Sequence, residues 1–303
     1  MDGLATAPGA GTVLNALATG TGAAFAIDEY TTAAVELDPD SDEVAGTIAG
    51  APDADTELIE RCVELTTERY GDGEGGHVRT ESEVPMAAGL KSSSAAANAT
   101  VLATLDALGI ADADDPTLQR TDEIDRVTAC KLGVTAARDA GVTVTGAFDD
   151  ATASMLGGVT ITDNDRDELL DRSERDWNVL VWTPPERAYS ADADVDRCRR
   201  IAPIAELVAD LALDGAYGRA MTVNGFAFSA ALEFPTAPML EALPDVAGVS
   251  LSGTGPSVTA VGDRSVLNEV RDTWDTRQGT TLLTTAQTDG ATIVRSSDGG
   301  VRT

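Results

Sequence analysis

One segment in the first third of the chain combines glycine, lysine and serine at the expected start of a helix. It runs from Pro85 to Ala95 and reads PMAAGLKSSSA. Gly89 allows the backbone to approach a phosphate closely. The three serines that follow offer hydroxyls and unpaired amide N–H groups at a helix N-terminus, which carries about half a positive charge. The segment therefore predicts a phosphate-binding loop.

Lys91 adds a full positive charge to this loop. The chain has 21 basic residues, and only Lys91 and Lys131 among them are lysines. A lysine beside a serine-rich helix start is thus a rare local feature and a candidate contact for a phosphoryl group. The alternative is a well-capped helix whose preceding loop binds no ligand, and the residues alone leave it open.

Two adjacent acids, Asp149 and Asp150, come before an alanine-rich stretch and Gly157-Gly158. An aspartate near an acceptor hydroxyl can take up its proton or orient it during phosphoryl transfer. Either acid could instead cap the helix that follows, because Asp is a favoured N-cap, or lie in a solvated loop. We predict that at least one of them is catalytic, and the spacing leaves open which.

The remaining composition excludes several kinds of chemistry. His77 is the single histidine and lies in a glycine-rich polar segment, which argues against histidine-based catalysis. No HExxH, GxSxG or GxxxxGK[ST] segment is present. The cysteines are far apart and odd in number, which predicts neither disulfides nor a zinc site. They are Cys62, Cys130 and Cys198.

The elements that must position these residues alternate irregularly between strands and helices. Residues 30–37 and 77–83 favour strands, and the segment from Ser93 to Leu108 is the clearest helix, with serines at its start and Gly109 after its end. Further strands are expected at 177–182, 249–251, 258–261 and 280–285, separated by helices. Runs of this kind predict α+β layers, in two-layer sandwiches, and not a doubly wound sheet.

The charge of the chain restricts its surroundings and partners. Fifty-one acids against 21 bases give a net charge of −30, spread along the whole length. Such a surface repels nucleic acid and anionic membranes, and no apolar run is long enough to span a bilayer. The N-terminus lacks a signal-peptide pattern, so we expect a cytoplasmic protein. Adaptation to high salt accounts for the acidity. At about 1 M salt the Debye length is about 3 Å, so the repulsion between the many like charges is tolerable.

Two more glycine-containing segments flank the loop in sequence. Ala7-Pro8-Gly9 with Gly11 lies near the start, and Ser252–Ser257 reads SGTGPS near the end. Together with Pro85–Ala95 they resemble, in the same order, the motifs of the GHMP kinases (galactokinase, homoserine kinase, mevalonate kinase and phosphomevalonate kinase). The resemblance covers most of the chain and implies an ATP-dependent small-molecule kinase.

This resemblance also implies a fold. The N-terminal domain, residues 1–160, would be of the ribosomal S5 domain 2-like type, and the C-terminal domain, residues 161–303, a ferredoxin-like sandwich. ATP would bind between them. Within the family, Ala7–Asn15, Gly89–Ala99 and Thr145–Gly158 are most similar to the archaeal shikimate kinases. Ala10 departs from the lysine that many other members carry after A-P-G, which weakens a galactokinase or mevalonate kinase interpretation.

The resemblance assigns roles to individual residues. Asp150, its neighbour Asp149 and Lys91 would be catalytic. ATP and phosphate would be bound by the loop residues and by two glycines of the C-terminal motif: Pro85, Met86, Ala87, Ala88, Gly89, Leu90, Lys91, Ser92, Ser93, Ser94, Ala95, Gly253 and Gly255. Mg²⁺ would arrive with ATP and meet Ser93 or Ser94.

Shikimate carries a carboxylate, for which a bidentate arginine is the natural partner. Arg138, eleven residues before Asp149, is our candidate, and Thr12 and Asn15 are predicted to line the acceptor pocket. One alternative keeps the kinase and changes the acceptor, with homoserine first. Another is a nucleotide-binding regulator without catalysis. Oligomeric state is not readable from the sequence.

Overall fold

The computed structural model describes residues 1–84, 89–112, 115, 118, 124–143, 145–186 and 193–294. Its strands are β1 (Asp2–Leu14), β2 (Thr21–Asp38), β3 (Val44–Ile48), β4 (Gly75–Ser82), β5 (Val159–Asp163), β6 (Glu168–Ser173), β7 (Asn178–Thr183), β8 (Gly248–Leu251), β9 (Val258–Gly262), β10 (Thr280–Thr285) and β11 (Thr292–Ile293). Its helices are α1 (Glu57–Tyr70), α2 (Ser92–Ala107), α3 (Arg126–Asp139), α4 (Phe148–Leu156), α5 (Val195–Arg199), α6 (Ala202–Leu213), α7 (Tyr217–Leu232), α8 (Ala237–Ala242) and α9 (Arg264–Trp274). Pro85 to Ala88 of the predicted loop lie outside the described residues.

The first sheet is built around two long antiparallel strands, β1 and β2. Its described strands run in the order β11-β1-β2-β4-β3, with β5 and β6 attached to the other part of β2. Strand β1 continues through Pro8 to Leu14 by way of register shifts after Pro8 and after Thr12. Such bulges accommodate a proline that cannot donate to the ladder.

Helix α2 lies against this sheet and is buried on nearly all sides. Twelve of its residues are buried, from Ser94 to Ala107. Gly3 of β1 allows the helix backbone to approach the sheet closely, since a Cβ added there would lie 1.9 Å from the carbonyl oxygen of Ala103. A helix that is apolar all round is a core helix and not an amphipathic surface helix. Its N-terminus is thereby held at a fixed position at the edge of the core.

The second sheet has the strand order β10-β7-β9-β8, with antiparallel neighbours throughout. Along the chain these elements follow each other as β7, helices α5–α8, β8, β9, helix α9 and β10. This βαββαβ succession, with β10 and β9 on either side of β7, is that of the expected ferredoxin-like sandwich. The amphipathic helix α9 packs on the sheet through Leu267, Val270 and Trp274. The two sheets with their helices confirm the α+β class.

The polar stretch at 163–176 follows the predicted boundary and contains the turn and the second strand of a β-hairpin. Strand β6 pairs with β5, and β5 pairs with β2 of the first sheet. The predicted boundary between residues 160 and 161 falls inside β5. We propose that the domains meet after Ser173 instead, with β11 returning near the C-terminus to the edge of the first sheet.

Among the described residues, no helix has the length and apolar character needed to cross a bilayer. The three cysteines are buried and unpaired. His77, at the start of the predicted strand 77–83, lies on β4 and is exposed, with its Nε2 atom 2.8 Å from the Thr47 hydroxyl.

Candidate active site

A cleft opens where the N-termini of α2 and α4 meet the loop between β8 and β9. The described residues that line it are Asn15, Ala16, Leu17, Lys91, Thr143, Thr145, Ala147, Asp149, Asp150, Gly253 and Thr254. The first sheet contributes the end of β1, and the second sheet contributes the loop after β8. Segments that are far apart in sequence are thus combined in one concave site.

Lys91 occupies the N-cap position of α2 with a left-handed backbone, φ 65°. No described side chain caps this helix, and its first turn contains no acid. The amide N–H groups of Ser92, Ser93 and Ser94 therefore keep their capacity to bind an anion. The Lys91 side chain turns across the helix end, and its Nζ atom donates to Asp150 Oδ2 at 2.7 Å.

Asp150 is the most perturbed acid of the cleft. It is 7% exposed, and no described residue donates to its Oδ1 atom. Burial, together with the charge of Asp149, raises the pKa of Asp150 to about 7, although Lys91 opposes both effects. A carboxyl group with a pKa near neutrality can both accept and release a proton under ordinary conditions.

Asp149 has a different environment, although it is adjacent. It is 5% exposed, and its Oδ1 atom accepts a hydrogen bond from Asn164 Nδ2 at 2.7 Å. Neither acid acts as the N-cap of α4. That position belongs to Ala147, which has φ 49°, and no described side chain caps the helix. The two carboxylates are therefore directed at different partners, Asp150 at Lys91 and Asp149 at Asn164.

The β8–β9 loop braces the helix start. Ser252 Oγ donates to the Gly89 carbonyl oxygen at 2.8 Å. The Gly253 N–H donates to Thr12 Oγ1 at 2.8 Å, and Asn15 Nδ2 donates to the Gly253 carbonyl oxygen at 2.9 Å. Gly253 has φ +57°, a conformation that favours glycine, and a Cβ added there would lie 2.7 Å from Lys91 Nζ. The loop thus fixes both the backbone before α2 and the position of the lysine.

We expect Gly89→Ala to destabilise the protein by about 2–5 kcal/mol. Gly89 has φ +77°, and an added Cβ would lie 2.3 Å from the Ser252 carbonyl oxygen, a backbone atom. Gly109→Ala is the matched control, because Gly109 has φ +73° with nothing within 4 Å of the added Cβ. The control is expected to lose only about 1–2 kcal/mol. Equal losses in urea unfolding would contradict the close packing of the two loops.

The predicted serines differ in exposure. Ser92 is half-buried, Ser93 is exposed and Ser94 is buried. No cluster of three or more histidine, cysteine or acidic side chains that could hold a metal ion occurs among the described residues. The hydroxyls and the adjacent carboxylates are oxygen donors of the kind Mg²⁺ accepts when phosphates supply part of its ligands.

The predicted acceptor residues are not all brought together. Asn15 lines the cleft. Thr12 is 1% exposed and joins β1 to Gly253 behind it. Arg138 is not among the described residues of the cleft: it forms a bidentate pair with Asp167, at 2.7 Å for each bond. Its guanidinium lies under Gly146, where a Cβ would be 2.3 Å from Nη2. Its predicted contact with a carboxylate stays a prediction.

The other predicted residues lie near the cleft without lining it. Leu90 and Ala95 are buried. The Leu90 carbonyl oxygen accepts from the Ala10 N–H at 3.1 Å. Gly255 packs against Phe234, whose Cε2 atom would lie 2.5 Å from an added Cβ.

Several cleft residues had no assigned role in the sequence analysis. Thr143, Thr145 and Ala147 belong to the segment just before the acids, and Ala16 and Leu17 follow Asn15. Their closeness to motif residues along the chain is the one signal that could have found them. Asn164, which binds Asp149, carries no such signal.

Comparisons with known proteins agree with this architecture. The family model described as the GHMP kinases N terminal domain matches residues 57–158. Among solved structures, homoserine kinase from Cytophaga hutchinsonii superposes with a TM-score of 0.71 at 15% identity, covering 97% of each chain. The mevalonate kinase of Methanococcus jannaschii has a TM-score of 0.71 at 14% identity, over 93% of this chain and 98% of that one. These likenesses support the fold.

Curated relatives are much more similar in sequence. A shikimate kinase of Halobacterium salinarum is 66% identical over 291 residues, covering 96% of this chain and 99% of the relative. A shikimate kinase of Methanococcoides burtonii is 48% identical over 293 residues, covering 96% and 98%. On this full-length similarity, the chain belongs to the archaeal shikimate kinase family within the GHMP kinases.

Proposed function

We propose that this protein transfers the γ-phosphoryl group of ATP to the 3-hydroxyl of shikimate, giving ADP and 3-phosphoshikimate, on the route to chorismate and the aromatic amino acids. The observation that carries the proposal is the 66% identity to a shikimate kinase over nearly the whole of both chains. The cleft supports it, because it combines an anion-binding helix start, a lysine and a buried acid in one place.

Phosphate binding falls to the N-terminus of α2. The first-turn amides of Ser92, Ser93 and Ser94 point along the helix axis, and the helix dipole favours the negative charge of the nucleotide. Lys91 stands at the same helix end and adds a full charge. These groups are held in place before ATP arrives, so little reorganisation accompanies the build-up of charge during transfer.

Asp150 is our candidate for the residue that takes up the proton of the acceptor hydroxyl. Its pKa of about 7 gives its ionised form a useful basicity at neutral pH. Oδ2 accepts a hydrogen bond from Lys91, whereas Oδ1 is buried without a donor among the described residues. We propose that the acceptor hydroxyl supplies this missing donor when it binds. Lys91 then stabilises the carboxylate between turnovers and, with the helix end, the phosphoryl oxygens during transfer.

Mg²⁺ is part of the proposal, and the residues present fit it. The hydroxyl of Ser93 or Ser94, together with one acid of the cleft, would complete its oxygen ligands beside the ATP phosphates. When bound, it neutralises charge on the phosphate oxygens.

Asn15, Thr143 and Thr145 are proposed to form the acceptor side of the cleft. A triol such as shikimate needs several hydrogen-bonding groups of this kind. Thr12 would act indirectly, through Gly253, and Arg138 would support the segment that contains Thr145, whose carbonyl oxygen lies 3.4 Å from Arg138 Nη2. We place the reaction in the cytoplasm of a salt-adapted cell, consistent with the charge of −30 and with relatives from Halobacterium salinarum.

The test is a coupled ADP-release assay in molar KCl with shikimate, homoserine, mevalonate and galactose as acceptors. We expect shikimate to give the highest kcat/KM by more than tenfold, and phosphorus NMR of the product to locate the new ester at the 3-position. A more than tenfold preference for homoserine would overturn the shikimate assignment while leaving the kinase chemistry intact.

A further inference from the structure

Asn224 is a fully buried amide on α7 that no motif singles out. Its Oδ1 atom accepts from the backbone N–H of Asn15, just after β1, at 2.9 Å. Its Nδ2 atom donates to Ser250 Oγ of β8 at 2.9 Å, and this hydroxyl donates in turn to the Leu251 carbonyl oxygen at 3.0 Å. One side chain of the C-terminal domain thus joins the second sheet to the end of β1.

The hydrogen bonds of Asn224 leave it a single orientation. A backbone N–H can only donate, so the atom that faces Asn15 must be the oxygen, and the nitrogen must then face the Ser250 hydroxyl. Helix α7 also packs closely on β8, since a Cβ added at Gly225 would lie 2.8 Å from the Ser250 Cα atom. Asn224 therefore holds the backbone of Asn15 at a fixed position relative to β8.

The side chain of Asn15, which lines the cleft, is held as well. Its Oδ1 atom accepts from the Leu17 N–H at 2.9 Å, and its Nδ2 atom donates to the Gly253 carbonyl oxygen at 2.9 Å. A primary amide has two N–H donors and two lone pairs on its oxygen, so one donor and one lone pair of Asn15 are left for a ligand. A hydroxyl group both donates and accepts, and it can therefore satisfy both.

The loop that contains Gly253 has anchors of its own. The Gly253 N–H donates to Thr12 Oγ1, and Ser252 Oγ donates to the Gly89 carbonyl oxygen, each at 2.8 Å. Neither bond involves Asn224. Loss of the Asn224 amide should therefore displace Asn15, while the loop and the helix start that it braces keep their positions.

We propose that Asn224 is a positioning residue for the acceptor. By holding Asn15, it directs the remaining donor and lone pair of that amide to an acceptor hydroxyl other than the one that is phosphorylated. The inference rests on the proposed function, which places Asn15 on the acceptor side of the cleft. It deepens that function, because it gives a part in acceptor specificity to a residue of the C-terminal domain that touches no substrate.

The variant that tests this is Asn224→Ala. Asn224→Ser carries the same expectation if the alanine protein does not fold, because the shorter side chain cannot span both partners. We expect the KM for shikimate to rise about tenfold, with the KM for ATP within about twofold of the wild type. Steady-state kinetics in molar KCl, with each substrate varied in turn, measure both values.

Ser229→Ala is the matched control on the same helix. Ser229 is 1% exposed, and its Oγ atom has no hydrogen-bond partner among the described residues. We expect this variant to keep both KM values of the wild type. A rise of the two KM values by the same factor in Asn224→Ala, or a fall in kcat with both KM values unchanged, would overturn the inference and indicate a structural role alone.

Deoxy analogues of shikimate test the contact itself. With the wild type, either 4-deoxyshikimate or 5-deoxyshikimate should lose about tenfold in kcat/KM relative to shikimate, since one of them lacks the hydroxyl that Asn15 binds. Asn224→Ala should lose little further with that analogue. Fully additive losses would contradict the inference. If the wild type phosphorylates another alcohol of the acceptor panel and not shikimate, the proposed function fails, and the comparison of KM values with that alcohol decides the inference separately.

Discussion

Replacing Asp150 with asparagine is expected to lower kcat by about 10²–10⁴-fold while leaving the protein folded. Asparagine keeps the size of the side chain and can still accept a hydrogen bond from Lys91 through its amide oxygen, but it has no basicity. The loss should appear in kcat more than in the KM for ATP, because Asp150 is expected to act on the acceptor hydroxyl. Steady-state kinetics with saturating ATP and shikimate measure it.

The same substitution makes a prediction about stability with a definite sign. The pKa of Asp150 is raised from 3.8 to about 7 in the folded protein. The stability that comes from its protonated form is therefore fully present below pH 3.8 and is lost as the pH rises through about 7. Asparagine stays neutral throughout. The melting temperature of the wild type should thus fall, relative to that of Asp150→Asn, between pH 4 and pH 8.

A purely structural Asp150 would give the opposite pair of results, with activity preserved and stability lost. Asp149→Asn provides the comparison within the site, and we expect a smaller loss of kcat, because Asp149 is bound to Asn164 and acts through its charge. If both variants keep wild-type turnover, the assignment of the proton acceptor to this acidic pair is wrong. Thermal unfolding and kinetics on the same preparations distinguish these outcomes.

The local elements of the site could be predicted from the sequence. Serines followed by alanines and Gly109 predict the helix that is found at Ser92–Ala107, because capping and propensity act over a few residues. The strand at Asn178–Thr183 and the helix at Arg264–Trp274 follow from equally local patterns. Such signals need no knowledge of what the segment packs against.

Long-range pairing could not be predicted in the same way. The extension of β1 through Pro8 depends on β2, and the hairpin of β5 and β6 was hidden by its polar composition. A residue such as Asn164 has no local pattern at all, because its role arises from partners brought together by the sheet. The prediction for Arg138 rested on the chemistry of the acceptor and could not foresee its pairing with Asp167.

The absence of lysine after Ala7-Pro8-Gly9 finds an explanation in the packing of β1. Ala10 occupies that position, is fully buried, and donates its N–H to the carbonyl oxygen of Leu90. The residue after Leu90 is Lys91, so the two segments meet one residue away from the cation. The small side chain of Ala10 thus lies where β1 meets the segment before α2, and the positive charge near this contact comes from Lys91 at the helix start.

Removing that charge by Lys91→Met is expected to lower kcat/KM by about 10²–10³-fold. Methionine keeps an unbranched side chain of similar length at the N-cap of α2 but cannot donate to Asp150 or to phosphoryl oxygens. Lys131→Met is the matched control, because it removes the chain's other lysine from an exposed position on α3. We expect the control to keep turnover close to that of the wild type, which separates a local effect from a change of one unit in the net charge.

The pH dependence of Lys91→Met gives the sharper test. Lys91 opposes the rise in the pKa of Asp150, so its removal should raise that pKa above about 7 and move the acidic limb of kcat/KM to higher pH. Asp149→Asn is expected to move the same limb to lower pH, because the charge of Asp149 raises the pKa of Asp150. Opposite shifts from two neighbours of Asp150 would identify it as the titrating group, since a general loss of structure has no reason to change sign. Shifts in the same direction would mean that another group controls the limb.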